Sequence, residues 1–142
     1  MIDIQKDAAR RPELFLWRGP LAPASVDAWI RDKNLRVPPD LRQFWIETGG
    51  GDLFESEELL GPFAARVWER TVDSVTDAHR VSGMPPGYLV FHAGLGISVV
   101  RQSDGRYLDL DEGTYRTTSE FSSFGEWYRD SLRTLFAAKY GL

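Results

Sequence analysis

His79 and His92 are the two imidazoles of this chain and its only side chains that titrate near neutral pH when unperturbed. They fall in different predicted elements and neither has a ligand-spaced partner beside it, so both read as structural or surface residues. Asp109 and Asp111 are spaced to share one face of a strand, an arrangement that suits a hard cation or an acid and base pair. A solvated strand face explains the same spacing and is the expected reading. Glu112 follows directly, and a second acidic group, Asp52, Glu55, Glu57 and Glu58, has no basic residue between Asp52 and Gly61. Were the two groups on one side of a sheet, they would form an acidic surface able to steer and bind a basic protein. The enzymatic alternative places Asp109, Asp111 and His92 around a metal. The chain has no Gly-x-Ser-x-Gly elbow, Walker loop, His-Glu-x-x-His motif or calcium loop. Gly94-Leu95-Gly96 lacks the third glycine and following helix of a phosphate loop, and reads as a turn between strands.

Composition narrows the classes further. A chain of 142 residues fits one domain, residues 1–142, and buries roughly 70% of its unfolded surface, enough for a self-sufficient core. The absence of cysteine removes disulfides, thiolate catalysis and cysteine-ligated metal together. Net charge of -4 and a pI near 5.2 disfavour nucleic acid and anionic lipid and favour a basic protein partner. The first residues, MIDIQKDAARR, lack the apolar centre of a secretory signal, and nowhere do 18 apolar residues run together. The expected address is the cytoplasm, with no membrane association, and no cofactor is implied.

The elements that must position these residues follow from periodicity and punctuation. Leu14 to Trp17 is a short apolar run, a strand or an ordered lead-in, ended by Gly19, Pro20 and Pro23. Ser25 can cap a helix from Val26 to about Lys33, with Val26, Trp29 and Ile30 on one stripe. Pro38 and Pro39 then open a helix to Thr48 whose buried flank is Leu41, Phe44, Trp45 and Thr48, and which should pack on the preceding helix. Gly49, Gly50 and Gly51 stop it, and Asp52, Leu53 and Phe54 restart as an extended segment. The acidic residues after Phe54 read as a loop or short turn, Phe63 to Arg70 as a strand, and Thr71 as the cap of a helix through about Val81 with Val72, Val75 and Ala78 inward. Tyr88 to Phe91 and Ile97 to Arg101 are strands. Asp104-Gly105 predicts a two-residue type I′ hairpin into Tyr107 to Asp111, with Leu108 and Leu110 inward and Tyr107, Asp109 and Asp111 on the opposite face. Ser122 or Ser123 caps a last helix to about Lys139, striped by Phe124, Trp127, Tyr128, Leu132, Leu135 and Phe136. The predicted class is α+β, a mostly antiparallel sheet with helices packed against it. Trp29, Trp45 and Trp127 belong to the core, which leaves Trp17 and Trp68 as candidate interface anchors.

The stretch VPPDLRQFWIETGGGDLF, residues 37–54, resembles the signature of the SUKH superfamily of Smi/Knr-like domains: proline, an amphipathic helix with aromatic residues, Gly-Gly, then an acidic and aromatic restart. Pro38, Trp45, Gly49, Gly50 and Phe54 carry it. YLVFHAGLGISVVRQSDGRYLDLDEG, residues 88–113, and SEFSSFGEWYRDSL, residues 119–132, extend the resemblance to about residues 23–136. It implies no active site. It implies instead an immunity protein that binds and neutralises a cognate bacterial toxin, a nuclease among the options, or else a regulatory or scaffold module of the same fold. The acidic residues Asp52, Glu55, Glu57, Glu58, Asp109, Asp111 and Glu112 are the expected partner-binding set.

Overall fold

The computed structural model describes residues 2–142. Helix α1, Ile2–Arg10, leads through a 3₁₀ turn at Pro12–Leu14 into β1, Phe15–Trp17. Two helices follow, α2 at Pro23–Asp32 and α3 at Pro39–Thr48, and then a hairpin of β2, Gly51–Leu53, and β3, Glu57–Leu59. Helix α4, Val72–Val81, precedes β4, Tyr88–Ala93, β5, Ile97–Arg101, β6, Tyr107–Leu110, and β7, Thr117–Phe121. The chain ends in a helix whose first turn is α5, Phe124–Trp127, and whose last part is α6, Arg133–Tyr140, with a π turn at Tyr128–Leu132 between them. The fold is α+β, and the seven strands form one antiparallel sheet in sequence order.

Register assigns the two faces. The cross-strand row Trp17, Gly51, Leu59, His92, Ser98 and Asp109 lies on the inner face, under α3 and α5. Edge-to-face contacts between Trp17 and Phe44 (5.4 Å) and between Phe91 and Trp127 (4.7 Å) join sheet to helices there. The opposite row runs Leu16, Asp52, Glu58, Ala93, Ile97 and Leu110. Ala93, Ile97 and Leu110 are buried, whereas Leu16 and Asp52 are exposed. Helix α4 packs on β4, where Val90 N–H donates to the Thr76 hydroxyl (2.9 Å), and leaves β1 and β2 uncovered.

The glycine run after α3 is set by close approach. Gly49 closes the helix with φ 73°, and a Cβ there would strike the Gly19 carbonyl; Gly50, φ 83°, lies against the Leu59 carbonyl. Trp45 secures the same corner by donating its indole N–H to the Leu60 carbonyl (2.9 Å).

Several expectations are corrected. Helix α2 begins at Pro23 because proline suits a first turn, so Ser25 lies inside the helix rather than capping it. Glu57 and Glu58 belong to strand β3, not to a loop. Phe63 to Arg70 is irregular, with no strand partner. The Asp104-Gly105 hairpin forms, but only Gly105 has positive φ, so its turn is not type I′. Paired positive φ values occur instead at Phe54 (53°) and Glu55 (68°) in the β2–β3 turn. Tyr107 is buried, and Asp109 turns inward rather than to solvent. Ala78 and Leu135 are exposed, the latter because the π turn rotates the stripe one residue. Helix α1 and strand β7 were not predicted; β7 is polar and exposed except at Phe121, so it carries no apolar alternation.

Candidate functional site

Strands β1 to β3 and the irregular segment 62–70 enclose an open cleft of about 700 Å³. Its floor is the uncovered end of the sheet, where cross-strand neighbours Leu16, Asp52 and Glu58 point the same way. Its far wall holds Arg66, Trp68, Glu69 and Arg70. Arg18 ties wall to floor: its guanidinium reaches Glu69 (3.6 Å) and Glu58 (3.9 Å), and it donates to the Phe63 carbonyl (3.4 Å). The Glu69 carboxylate shapes the segment by accepting from the backbone N–H groups of Ala65 (2.6 Å) and Arg66 (2.8 Å). Arg70 donates to Glu58 through Nε (2.9 Å) and Nη2. Exposure is high at the rim, 63% for Leu16, 96% for Val67 and 72% for Trp68.

Asp52 is the unbalanced charge. Although the residue as a whole is exposed, partial loss of water around its carboxyl in the cleft raises it above the usual aspartate range, and the facing Glu58 carboxylate adds more than nearby Arg18 and Arg70 take away. Among the described residues it has no ion pair and no side-chain hydrogen bond. Glu55, at the turn beside it, likewise has none and is exposed.

The other predicted acids go elsewhere. Glu57 is buried at the base of the cleft, where it accepts from His92 Nε2 (2.9 Å), the Ser56 hydroxyl (2.8 Å) and Leu95 N–H (3.2 Å). Burial alone would raise its carboxyl, but those donors outweigh it and hold the group below the ordinary glutamate value. His92 Nδ1 shares a hydrogen bond with the Ser98 hydroxyl (2.9 Å), which donates to Asp109 Oδ1 (2.7 Å). Asp109 also accepts from the Trp127 indole (2.9 Å) and the Ser131 hydroxyl (2.5 Å), the latter on the π turn. The order Glu57, His92, Ser98 has the residue types of an acid, base and hydroxyl triad, but the Ser98 hydroxyl gives its one proton to Asp109 rather than to His92. Both ends of it are closed: Ser98 is 1% exposed and its oxygen is already bonded to His92, Asp109 and Trp127. Its evident work is to join four strands to the terminal helix.

Asp111 does not converge with Asp109 and His92. It accepts from the N–H groups of Gly113 (2.9 Å) and Thr114 (2.8 Å) and so closes the β6–β7 turn. Glu112 stands beside His79 at the end of α4 (3.9 Å). Asp52, Glu55 and Glu58 therefore share the cleft with the inner Glu57 beneath them, while Asp109, Asp111 and Glu112 lie away from it. Among the described residues no three His, Cys, Asp or Glu side chains are grouped to hold a metal ion. No described helix is long and apolar enough to cross a membrane.

Sequence reasoning singled out Trp68 but missed Leu16, Arg18, Arg66 and Glu69 as its company. The run RVWER, which turns two large apolar residues outward between charges, was the available signal. Read as a strand, it placed them on alternate faces instead.

Residues 20–130 match the SMI1 / KNR4 family (SUKH-1), close to the span expected from the glycine-stopped helix and its neighbours. No curated protein matches the chain.

Proposed function

Because the chain belongs to the SMI1 / KNR4 family, we propose that it is a non-catalytic immunity protein that acts in the cytoplasm by binding a cognate bacterial toxin and blocking its active site or substrate channel. The observation that carries this reading is the cleft beside β1. It offers exposed Leu16 and Trp68 together with Asp52 and Glu55, unpaired among the described residues, a mixture of aromatic, apolar and acidic groups typical of a protein-binding surface. The residues with the most reactive pattern, Glu57, His92 and Ser98, are spent on one another in the interior. An interface of ordinary size, roughly 800 Å² on each side, would cover the cleft and its rim. The acidic balance of the chain favours a basic toxin, a nuclease being one such class.

The test is co-expression with the product of the adjacent gene in a host that lacks both. Survival of the host and a complex that co-purifies support immunity by direct binding. A neighbour that is harmless, or that kills regardless, removes that pairing. Recovery of a host regulatory protein from the native cell would then favour the scaffold role of the same fold.

A further inference from the structure

Acids and bases in the cleft do not balance, and the surplus is local. Glu57 is taken by His92, Ser56 and Leu95, Glu58 by Arg70 and Arg18, and Glu69 by Arg18 and two backbone amides. Asp52 faces Glu58 across the β2–β3 pair with no cation of its own among the described residues. Glu58 is matched by its two arginines and Asp52 is not, so an incoming cation would find there a carboxylate with no partner to displace.

Two further features select the kind of cation. Trp68 stands 72% exposed on the opposite wall, and Arg66 already lies over its ring, 5.6 Å from the centroid. Arg66 thus takes one face of the indole, and the exposure of the ring leaves the other face as a platform for a planar cation. Leu16 is the outward cross-strand neighbour of Asp52, and Leu16 and Trp68 are two of the six large apolar side chains found exposed among the described residues. Both line the same cleft, on its floor and its far wall, which marks a contact surface rather than scattered exposure.

From this, and resting on the binding role proposed above, we infer that the cleft seats an arginine of the partner, its guanidinium paired with Asp52 and stacked on Trp68, with an apolar neighbour of that arginine on Leu16. Arginine meets both demands at once, because its flat guanidinium donates in parallel to a carboxylate while its face lies on an aromatic ring. Lysine supplies the charge without the plane. Phosphate-bearing ligands are disfavoured by Asp52 and Glu55, which add negative charge where a phosphate would have to sit.

The probe is the capped tripeptide Val-Arg-Val, with citrulline and lysine versions as controls, titrated into the full chain labelled with ¹⁵N. Saturable shifts are expected at the Trp68 indole N–H and at the amides of residues 52 and 58. The citrulline peptide, equal in shape but neutral, should bind roughly fivefold more weakly or worse, the size of an exposed ion pair. Asp52→Asn should remove that difference, Trp68→Ala should weaken the arginine and citrulline peptides, and salt should weaken the arginine peptide but not the citrulline one. Equal response to arginine and citrulline, an unchanged preference in Asp52→Asn, shifts confined to other surfaces or no saturation into the millimolar range would each overturn the inference. So would concentration-dependent self-association that occupies the same residues, since the occupant would then be a second copy of the chain. No toxin enters this experiment, so its failure leaves the rescue test standing, and failure of rescue leaves the peptide result readable.

Discussion

At the scale of single residues, two carboxylates separated by five positions have opposite environments. Glu57 is buried among donors and its carboxyl is held low; Asp52 faces another acid and its carboxyl is pushed up. Because the folded value of Glu57 lies below the unfolded one, its contribution to stability is complete above the ordinary glutamate value of 4.5 and is lost as the pH falls through the lower folded value. Glu57→Gln should therefore cost about 1–3 kcal/mol near neutral pH, as expected for removing a buried carboxylate from its hydrogen-bond donors, and the gap to the parent should narrow in acid. Urea denaturation at pH 7 and pH 4 measures both. For Asp52 the sign reverses: a raised folded value means that stability is given up as the pH rises through it. Asp52→Asn should leave the melting temperature at pH 7 unchanged or slightly higher while weakening the partner, and a clear drop in melting temperature would show that Asp52 has a structural role. Neither behaviour was legible in the residues alone. Glu57 lies 35 positions from His92, and only the pairing of β3 with β4 brings them together.

At the scale of elements, the β2–β3 hairpin is the strained part of the cleft. Phe54 and Glu55 both have positive φ, a region that side chains with a Cβ enter at a cost. Phe54 is held there by stacking on Phe136 (4.8 Å) and an edge contact with Phe15 (5.3 Å), while its carbonyl accepts from the Tyr140 hydroxyl (3.3 Å). Glu55 has no such anchorage, so Glu55→Gly should stabilise the chain by about 1 kcal/mol by removing the steric penalty of its Cβ. A melting temperature below that of the parent would mean that Glu55 makes a contact of its own. The elements that announced themselves in the sequence were those with one wet and one dry side. Helix α3 is the plainest, with Leu41, Phe44 and Trp45 buried and Gly49 in the left-handed cap. Helix α4 is another, from the cap at Thr71 onward. Strand β6 misled because α5 covers its Tyr107 and Asp109 face as well, which leaves no alternation between core and solvent. Strand β3 hid because its three residues begin with two glutamates, one of them buried against donors that include a histidine far along the chain.

At the scale of the molecule, the sheet is covered on both faces over β4 to β6 and on one face over β1 to β3. That asymmetry locates the cleft. A region predicted as an ordinary strand, Phe63 to Arg70, becomes its outer wall because Arg18 and Glu69 pin it over the open end of the sheet. The resemblance gave the scaffold from its helix, glycine stop and closing helix, and the family match covers the same region. The surface was less accessible to that reasoning, since four of the seven expected acids lie at the distant β6–β7 turn or inside the protein. The most direct test of the account is the affinity of a toxin that the protein is found to neutralise, measured by calorimetry for the parent, for Asp52→Lys with Trp68→Ala, and for Arg129→Ala as a control on the exposed side of the terminal helix. The account predicts that the cleft variant stays folded and binds at least about 100-fold more weakly, since a buried aromatic anchor and a reversed charge each cost on the order of 2 kcal/mol, while the control binds like the parent. A folded cleft variant with parental affinity would contradict it.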